Sequence, residues 1–154
     1  MENQKTTLPI NHIGYLINMT AQFFNLTALQ IFKENNLNIT PEQFGVLYFL
    51  SRENGMYQRQ LAQAIFKDRP NITRILNILQ KNGYIIRTAD PQNKRITRVL
   101  ITPDGQKKVE TALPLLLGMK DKATTGLSEE EINTLMTILG KICGNLENNF
   151  TIQI

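Results

Sequence analysis

The seven arginines of this chain, Arg52, Arg59, Arg69, Arg74, Arg87, Arg95 and Arg98, all fall within less than a third of its 154 residues. A guanidinium is a planar fork of donors that pairs with phosphate oxygens or with guanine O6 and N7. From Arg52 to Arg98, ten basic residues stand against Glu53, Asp68 and Asp90, a net of +7; the whole chain is +4, which leaves −3 elsewhere. Localised positive potential attracts a phosphate backbone and releases its condensed counterions. The same charge would also suit a merely solvated face, so the residues between the arginines must decide. Asn71, Thr73, Arg74, Asn77 and Lys81 recur on one side of a helical pattern whose other side is Ile72, Ile75, Leu76 and Leu79. Asn can pair with adenine N6/N7 and Arg with guanine in the major groove. A helix face chosen only for solubility would more often carry Glu and Lys.

Other chemistries find little support. A single cysteine, Cys143, excludes an internal disulfide and any Cys-rich metal cluster, and a single histidine, His12, excludes zinc sites built from several imidazoles. Both read more simply as a buried thiol and an ordinary helical histidine. There is no histidine with a nucleophile partner and no Gly-rich phosphate loop, and Glu129-Glu130-Glu131 is better explained as helix capping than as acid/base machinery. The chain is therefore read as a non-enzyme, with no metal and no cofactor. A 42% hydrophobic content is enough to bury a core in one compact domain or two closely joined subdomains. The apolar stretches are interrupted well short of a bilayer-spanning length, and Met1 to Thr7 is polar with no signal-peptide core behind it. The expectation is a cytoplasmic protein with no membrane partner.

The elements that would position the arginines are legible from caps and periodicity. From Ile10 to about Phe32, Ile13, Leu16, Ile17, Phe23, Phe24, Leu26, Leu29 and Ile31 cover more than one face, predicting a long helix buried between neighbours. Thr40-Pro41-Glu42-Gln43 starts a second helix, with Phe44, Leu47, Tyr48 and Leu50 on its apolar face, which Glu53-Asn54-Gly55 closes. A short helix follows from about Gln58 to Phe66, then a break at Lys67-Asp68-Arg69. Asp68 is placed to cap the next helix, about Pro70 to Asn82, with Pro70 just inside it and Gly83 at the left-handed position that ends it.

Tyr84 to Thr88 and Ile96 to Thr102 read as two strands, joined by a basic hairpin loop, Asp90 to Arg95. Lys94 and Arg95 at such a tip can slide along a backbone and insert a guanidinium into a narrow minor groove. An ordinary exposed Asp-Pro turn is the simpler alternative. Thr102-Pro103 then starts a helix through Val109, Leu113, Leu116 and Leu117 to about Lys122, with a kink expected at Pro114. Ser128 opens a last helix with an apolar stripe of Ile132, Leu135, Met136, Leu139, Ile142 and Leu146. The first and last helices carry more apolar area than a small helix-turn-helix module covers, which predicts a two-fold dimer interface, with a monomeric core as the alternative.

In this order the strings Leu37-Asn38-Ile39-Thr40-Pro41-Glu42-Gln43-Phe44-Gly45-Val46-Leu47, Gln60-Leu61-Ala62, Thr73-Arg74 and Leu79-Gln80-Lys81-Asn82-Gly83-Tyr84-Ile85 resemble the MarR (multiple antibiotic resistance regulator) family. Most diagnostic is Asp90 to Arg95 running into Val99-Leu100-Ile101-Thr102-Pro103-Asp104-Gly105. The resemblance spans about Ile10 to Asn148. It implies a mainly α fold with a small β-hairpin wing, in which residues 37–102 form a winged helix-turn-helix and residues 1–36 and 103–154 a helical dimerisation region.

It further implies a homodimeric transcriptional regulator, a repressor by expectation, that grips a palindromic double-stranded operator. Arg74 matches the family's recognition-helix arginine and Arg95 its minor-groove wing arginine. Pro70, Asn71 and Thr73 match positions that face bases, and Gln58 and Arg59 resemble backbone contacts; Arg69, Asn77 and Lys94 complete the expected DNA-binding set. Asn93 stands where the family usually has Asp, so the wing arginine loses a charge-assisted partner. Release by a small aromatic or phenolic anion is the regulatory expectation, with His12, Tyr15, Met19, Phe44 and Tyr48 as candidate effector contacts; packing in the core or dimer interface is the alternative for all five. A thiol-based redox sensor at Cys143 and a winged-helix protein–protein adaptor are the remaining alternatives. Cys143 lies late in its helix, at the dipole end that disfavours a thiolate, and reads as structural.

Overall fold

The structure, a computed structural model, describes residues 12–94 and 96–151. They divide into two compact units after Pro41. The first contains α1 (Ile13–Glu34), which ends where Asn35 donates its side-chain amide to the Ile31 carbonyl (2.9 Å). Ala28, Phe32, Leu37 and Ile39 are buried, whereas Ile13, Leu16, Ile17, Phe23, Phe24, Leu26 and Leu29 are exposed. Within one chain, then, most of the predicted apolar surface of α1 remains open.

The second unit runs α2 (Pro41–Arg52, its first residue belonging to the first unit), β1 (Met56–Tyr57), α3 (Gln58–Ala64), α4 (Arg69–Lys81), β2 (Ile85–Ala89), β3 (Thr97–Ile101), α5 (Pro103–Ala123) and α6 (Glu129–Asn149). Its core is a single cluster. Val46, Leu47 and Leu50 of α2 meet Leu61 and Ala62 of α3, Ile72, Ile75, Leu76 and Leu79 of α4, Met56, Ile85 and Val99 of the sheet, and Val109 of α5. The four α4 residues are at most 1% exposed. Each such side chain contributes about 1.5–3 kcal/mol by leaving water, which fixes the rotation of α4 and hence the face it shows outward.

The sheet is antiparallel in the order β1-β3-β2, with Ile85 opposite Ile101, Arg87 opposite Val99 and Tyr57 opposite Arg98. Only β2 and β3 were expected. The third strand is two residues long, too short for an alternating pattern, and it forms because Gly55 (φ +86°) turns the chain so that its N–H reaches the Val99 carbonyl (3.1 Å). The strands β2 and β3 start one residue later than expected, at Ile85 and Thr97, and α4 starts one residue earlier, at Arg69. The third helix stops at Ala64, short of Phe66, which adopts a left-handed conformation (φ +51°) with 69% of its surface exposed.

Thr102 caps α5 by accepting the Gly105 N–H (3.1 Å), and the helix continues through Pro114. Ser128 and Glu131 form the expected capping box of α6, Ser128 accepting the Glu131 N–H (3.2 Å) and Glu131 accepting the Ser128 N–H (2.7 Å). None of the residues of α6 is buried: Leu135, Met136 and Leu146 are exposed, and Ile132, Leu139 and Ile142 half-buried. The expectation of a buried thiol at Cys143 is corrected by the same fact, since it shares this uncovered surface and is exposed.

Candidate nucleic-acid interface

The helix α4 is held at both ends by local chemistry. Asp68 accepts the Asn71 N–H (2.9 Å) at the start of α4, and Pro70, with no N–H to satisfy, occupies the second helical position. At the other end Gly83 (φ +76°) donates to the Gln80 carbonyl (3.0 Å) and Tyr84 to the Leu79 carbonyl (2.9 Å), the paired bonds of a Schellman motif. With Ile72, Ile75, Leu76 and Leu79 inward, Arg69, Pro70, Asn71, Arg74 and Asn77 are exposed and Thr73 is half-buried.

These side chains differ in how free they are. Arg74 is 60% exposed and lies 3.9 Å from a Glu42 oxygen that belongs to a carboxylate already paired with Lys67 at 2.5 Å. An exposed pair at that distance holds the guanidinium weakly, so Arg74 can leave it for another partner. Thr73 is more committed: its hydroxyl donates to the Arg69 carbonyl (2.7 Å) and accepts from the Gln58 amide (2.7 Å). One lone pair and the methyl group remain for a base edge. Gln58, expected at the backbone, spends one of its donors bracing α4 against α3. Asn77 accepts from the Arg87 guanidinium, which reaches across from β2 and also donates to Gln80. Its amide N–H groups are what it offers outward.

The loop after β2 is built on a buried carboxylate. Asp90, 3% exposed, accepts the backbone N–H groups of Gln92 (2.8 Å) and Asn93 (3.0 Å) on one oxygen, and on the other the Tyr57 hydroxyl (2.8 Å) and Arg98 Nε (2.6 Å). Its own N–H goes to the Ile96 carbonyl (2.8 Å), closing the hairpin. The Arg98 and Tyr57 bonds hold the carboxyl well below the usual carboxylate range despite its burial, and the carboxylate in turn raises the Arg98 guanidinium further. Asp90 was expected as part of an exposed basic turn. The structure corrects this: it is the turn's internal acceptor. Arg98, counted with the cationic face, is committed to it.

Lys94 is exposed at the tip, and Arg95 lies outside the described residues. A cleft of about 470 Å³ opens between α3, the start of α4 and the base of the wing, lined by Gln58, Arg59, Arg69, Ile72 and Ile96 among others. The structure thus brings Gln58, Arg59 and Arg69 together on one surface. The exit of the wing is locked to the exit of α4: Thr102 donates its hydroxyl to the Gly83 carbonyl (2.7 Å) and its N–H to the Tyr84 carbonyl (3.0 Å).

The effector candidates do not form one group within a unit. His12 is exposed and Tyr15 and Met19 half-buried on α1, in the first unit; Phe44 and Tyr48 are half-buried on α2, in the second. The Phe44 and Tyr48 rings stack at 5.9 Å and pack on the hydrophobic core, which accounts for both without a ligand. Among the described residues no cluster of three metal-ligating side chains occurs, and no helix is long and apolar enough to cross a membrane. Tyr57, Asp90 and the Arg87–Asn77 pair were missed by sequence reasoning. Only the Asp-Pro dipeptide hinted at Asp90.

A short helix, a tight turn, a second helix with an exposed Asn/Arg face and an adjoining antiparallel wing together define a winged helix-turn-helix, and the class of protein is a DNA-binding transcriptional regulator. Comparison with known proteins agrees and narrows it. Residues 37–96 match the MarR family. The chain is 31% identical over 115 residues to the HTH-type transcriptional regulator BilQ of Clostridium symbiosum, covering 73% of this chain and 80% of that protein. In structure it is similar to the transcriptional regulator SlyA (TM-score 0.82, 28% identity, 89% of this chain and 95% of that one). It is also similar to Staphylococcus aureus MepR in its complex with DNA (TM-score 0.77, 26% identity, 88% and 96%). The chain belongs to the MarR family.

Proposed function

We propose that the protein is a homodimeric repressor of a palindromic operator, in which α4 enters the major groove and the wing the adjoining minor groove. Residues 37–102 are the DNA-binding region; residues 1–36 and 103–154 supply the dimer interface. The observation that carries this reading is the two-sidedness of α4: four fully buried aliphatic residues set its rotation, so that Asn71, Arg74 and Asn77 point together into solvent. Support for the dimer comes from the open apolar surfaces of α1 and α6, larger than single exposed residues require. Arg69, Pro70 and Thr73 would flank the reading residues, with Gln58, Arg59, Lys94 and Arg95 on the backbone and wing.

The test is a titration of duplex at several salt concentrations. Wild type should lose affinity steeply with salt, with a slope of about −0.9 per phosphate neutralised. Arg74→Ala should cost about 1–3 kcal/mol per half-site and relax base preference while leaving that slope nearly unchanged. Equal affinity of the two proteins for the operator would reject the assignment. The repressor reading includes release by a small aromatic anion, which requires the ligand to prefer the conformation that does not fit the operator. Calorimetry with salicylate that shows neither heat nor weaker operator binding would remove that step.

A further inference from the structure

We propose that Tyr57 is a positioning residue of the wing, its hydroxyl tying the hairpin to the first turn of the helix-turn-helix so that wing and recognition helix are aimed as one body. The inference rests on the DNA-binding geometry proposed above and deepens it. Tyr57 is the residue before α3, and its backbone N–H is fixed by the Gln60 side chain (2.7 Å), so the ring is rooted in the helix-turn-helix. Its hydroxyl is not used for capping. It donates to Asp90 (2.8 Å) and accepts from Arg98 Nη2 (3.2 Å), while the Arg98 guanidinium carbon lies 5.2 Å from the ring centre.

Three separate segments therefore meet on one phenol oxygen: the residue before α3, the residue after β2 and the start of the wing's return strand. The backbone connection between them is slight, since β1 offers only two residues to β3. Thr102 and the buried Ile85 and Val99 hold the open end of the hairpin, but the turn end is restrained by the hydrogen bond from a rigid ring to the carboxylate that itself organises the turn. Asp90 transmits the restraint onward, because the amides of Gln92 and Asn93 hang on its other oxygen. The aim of the tip is thus set from the base of α3.

The experiment uses Tyr57→Phe, which keeps the ring and removes only the oxygen. In the free protein, amide hydrogen exchange at Gln92, Asn93 and Ile96 should speed up roughly tenfold, the equivalent of one hydrogen bond to a charged acceptor, while the amides of Ile72 to Leu79 keep their protection. On a duplex recovered with wild type from a random pool, affinity should fall by a similar factor; on the same duplex trimmed of the flanks that only the wing reaches, the two proteins should bind alike. Asp90→Asn should reproduce both patterns. Unchanged exchange, exchange that rises equally in α4, or equal affinity losses on both duplexes would each overturn the proposal. Faster wing exchange in a protein that binds no duplex would sink the DNA geometry and leave the tether standing.

Discussion

Gly105→Ala should destabilise the protein even though alanine is the better helix former. Gly105 lies in the first turn of α5, and a Cβ there would stand 2.2 Å from the Tyr84 carbonyl oxygen and 2.8 Å from Ile101 Cγ1. Neither neighbour can step aside cheaply. Tyr84 O accepts the Thr102 N–H and Gly83 O accepts from Thr102 Oγ1, two bonds that hold the wing's exit against the end of α4, while Thr102 Oγ1 also accepts the Gly105 N–H that caps α5. Moving Tyr84 O by the ångström or so needed to relieve the contact loosens these bonds, at about 1 kcal/mol each. Replacing glycine within a helix returns about 1 kcal/mol. The net loss is about 2 kcal/mol, or about 4–8 °C in Tm for a chain of this size. Urea denaturation of wild type and variant at one protomer concentration measures it, since association would otherwise shift both midpoints. An unchanged or higher midpoint would refute the reasoning, by showing that the close approach to Tyr84 relaxes without cost.

The opposite sign is expected at Phe66→Gly: removing an exposed aromatic from a left-handed position recovers about 1–2 kcal/mol of backbone strain against about 0.5–1 kcal/mol of added chain entropy, so the midpoint should rise slightly, and a fall would mean that the ring packs more than its exposure indicates. For pH, Asp90 is depressed below the ordinary 3.8 in the folded chain, so its contribution is complete above that value and is lost as pH falls through the folded value. Asp90→Asn should therefore lower the urea midpoint by a constant amount from about pH 5 to 8, the gap closing below about pH 4; a gap that closes in the neutral range contradicts the assignment. Arg95→Ala should weaken duplex binding most on A·T-rich flanks, where a narrow minor groove concentrates negative potential. Equal losses on G·C flanks would leave Arg95 as a plain phosphate contact.

What was legible in the sequence was what neighbouring residues decide. Asp68, Pro70 and Gly83 bound α4 through bonds within a few residues, and the spacing of Ile72, Ile75, Leu76 and Leu79 sets its buried side, so the exposed Asn71, Arg74 and Asn77 could be named in advance. The bracing of that face could not. Asp90 meets Tyr57 across 33 residues of chain, Arg87 reaches back to Asn77, and β1 exists only because β3 lies beside it. Such pairings depend on the finished fold. Arginine clustering also overstated the free charge, because Arg87 and Arg98 are spent on partners within the chain while Arg52, Arg59 and Arg69 stand exposed. Cys143 was misjudged because an apolar stripe tells which side of α6 can be covered, and within one chain nothing buries it.

Selection of bound duplexes from a random pool tests the central claim most directly. The account predicts an inverted repeat whose half-site centres lie about one helical turn apart, roughly 10 base pairs, or a multiple of it, with the strongest preference at positions lost in Arg74→Ala. A pool that stays unenriched at low salt, or one that yields a single unrepeated site, would contradict it.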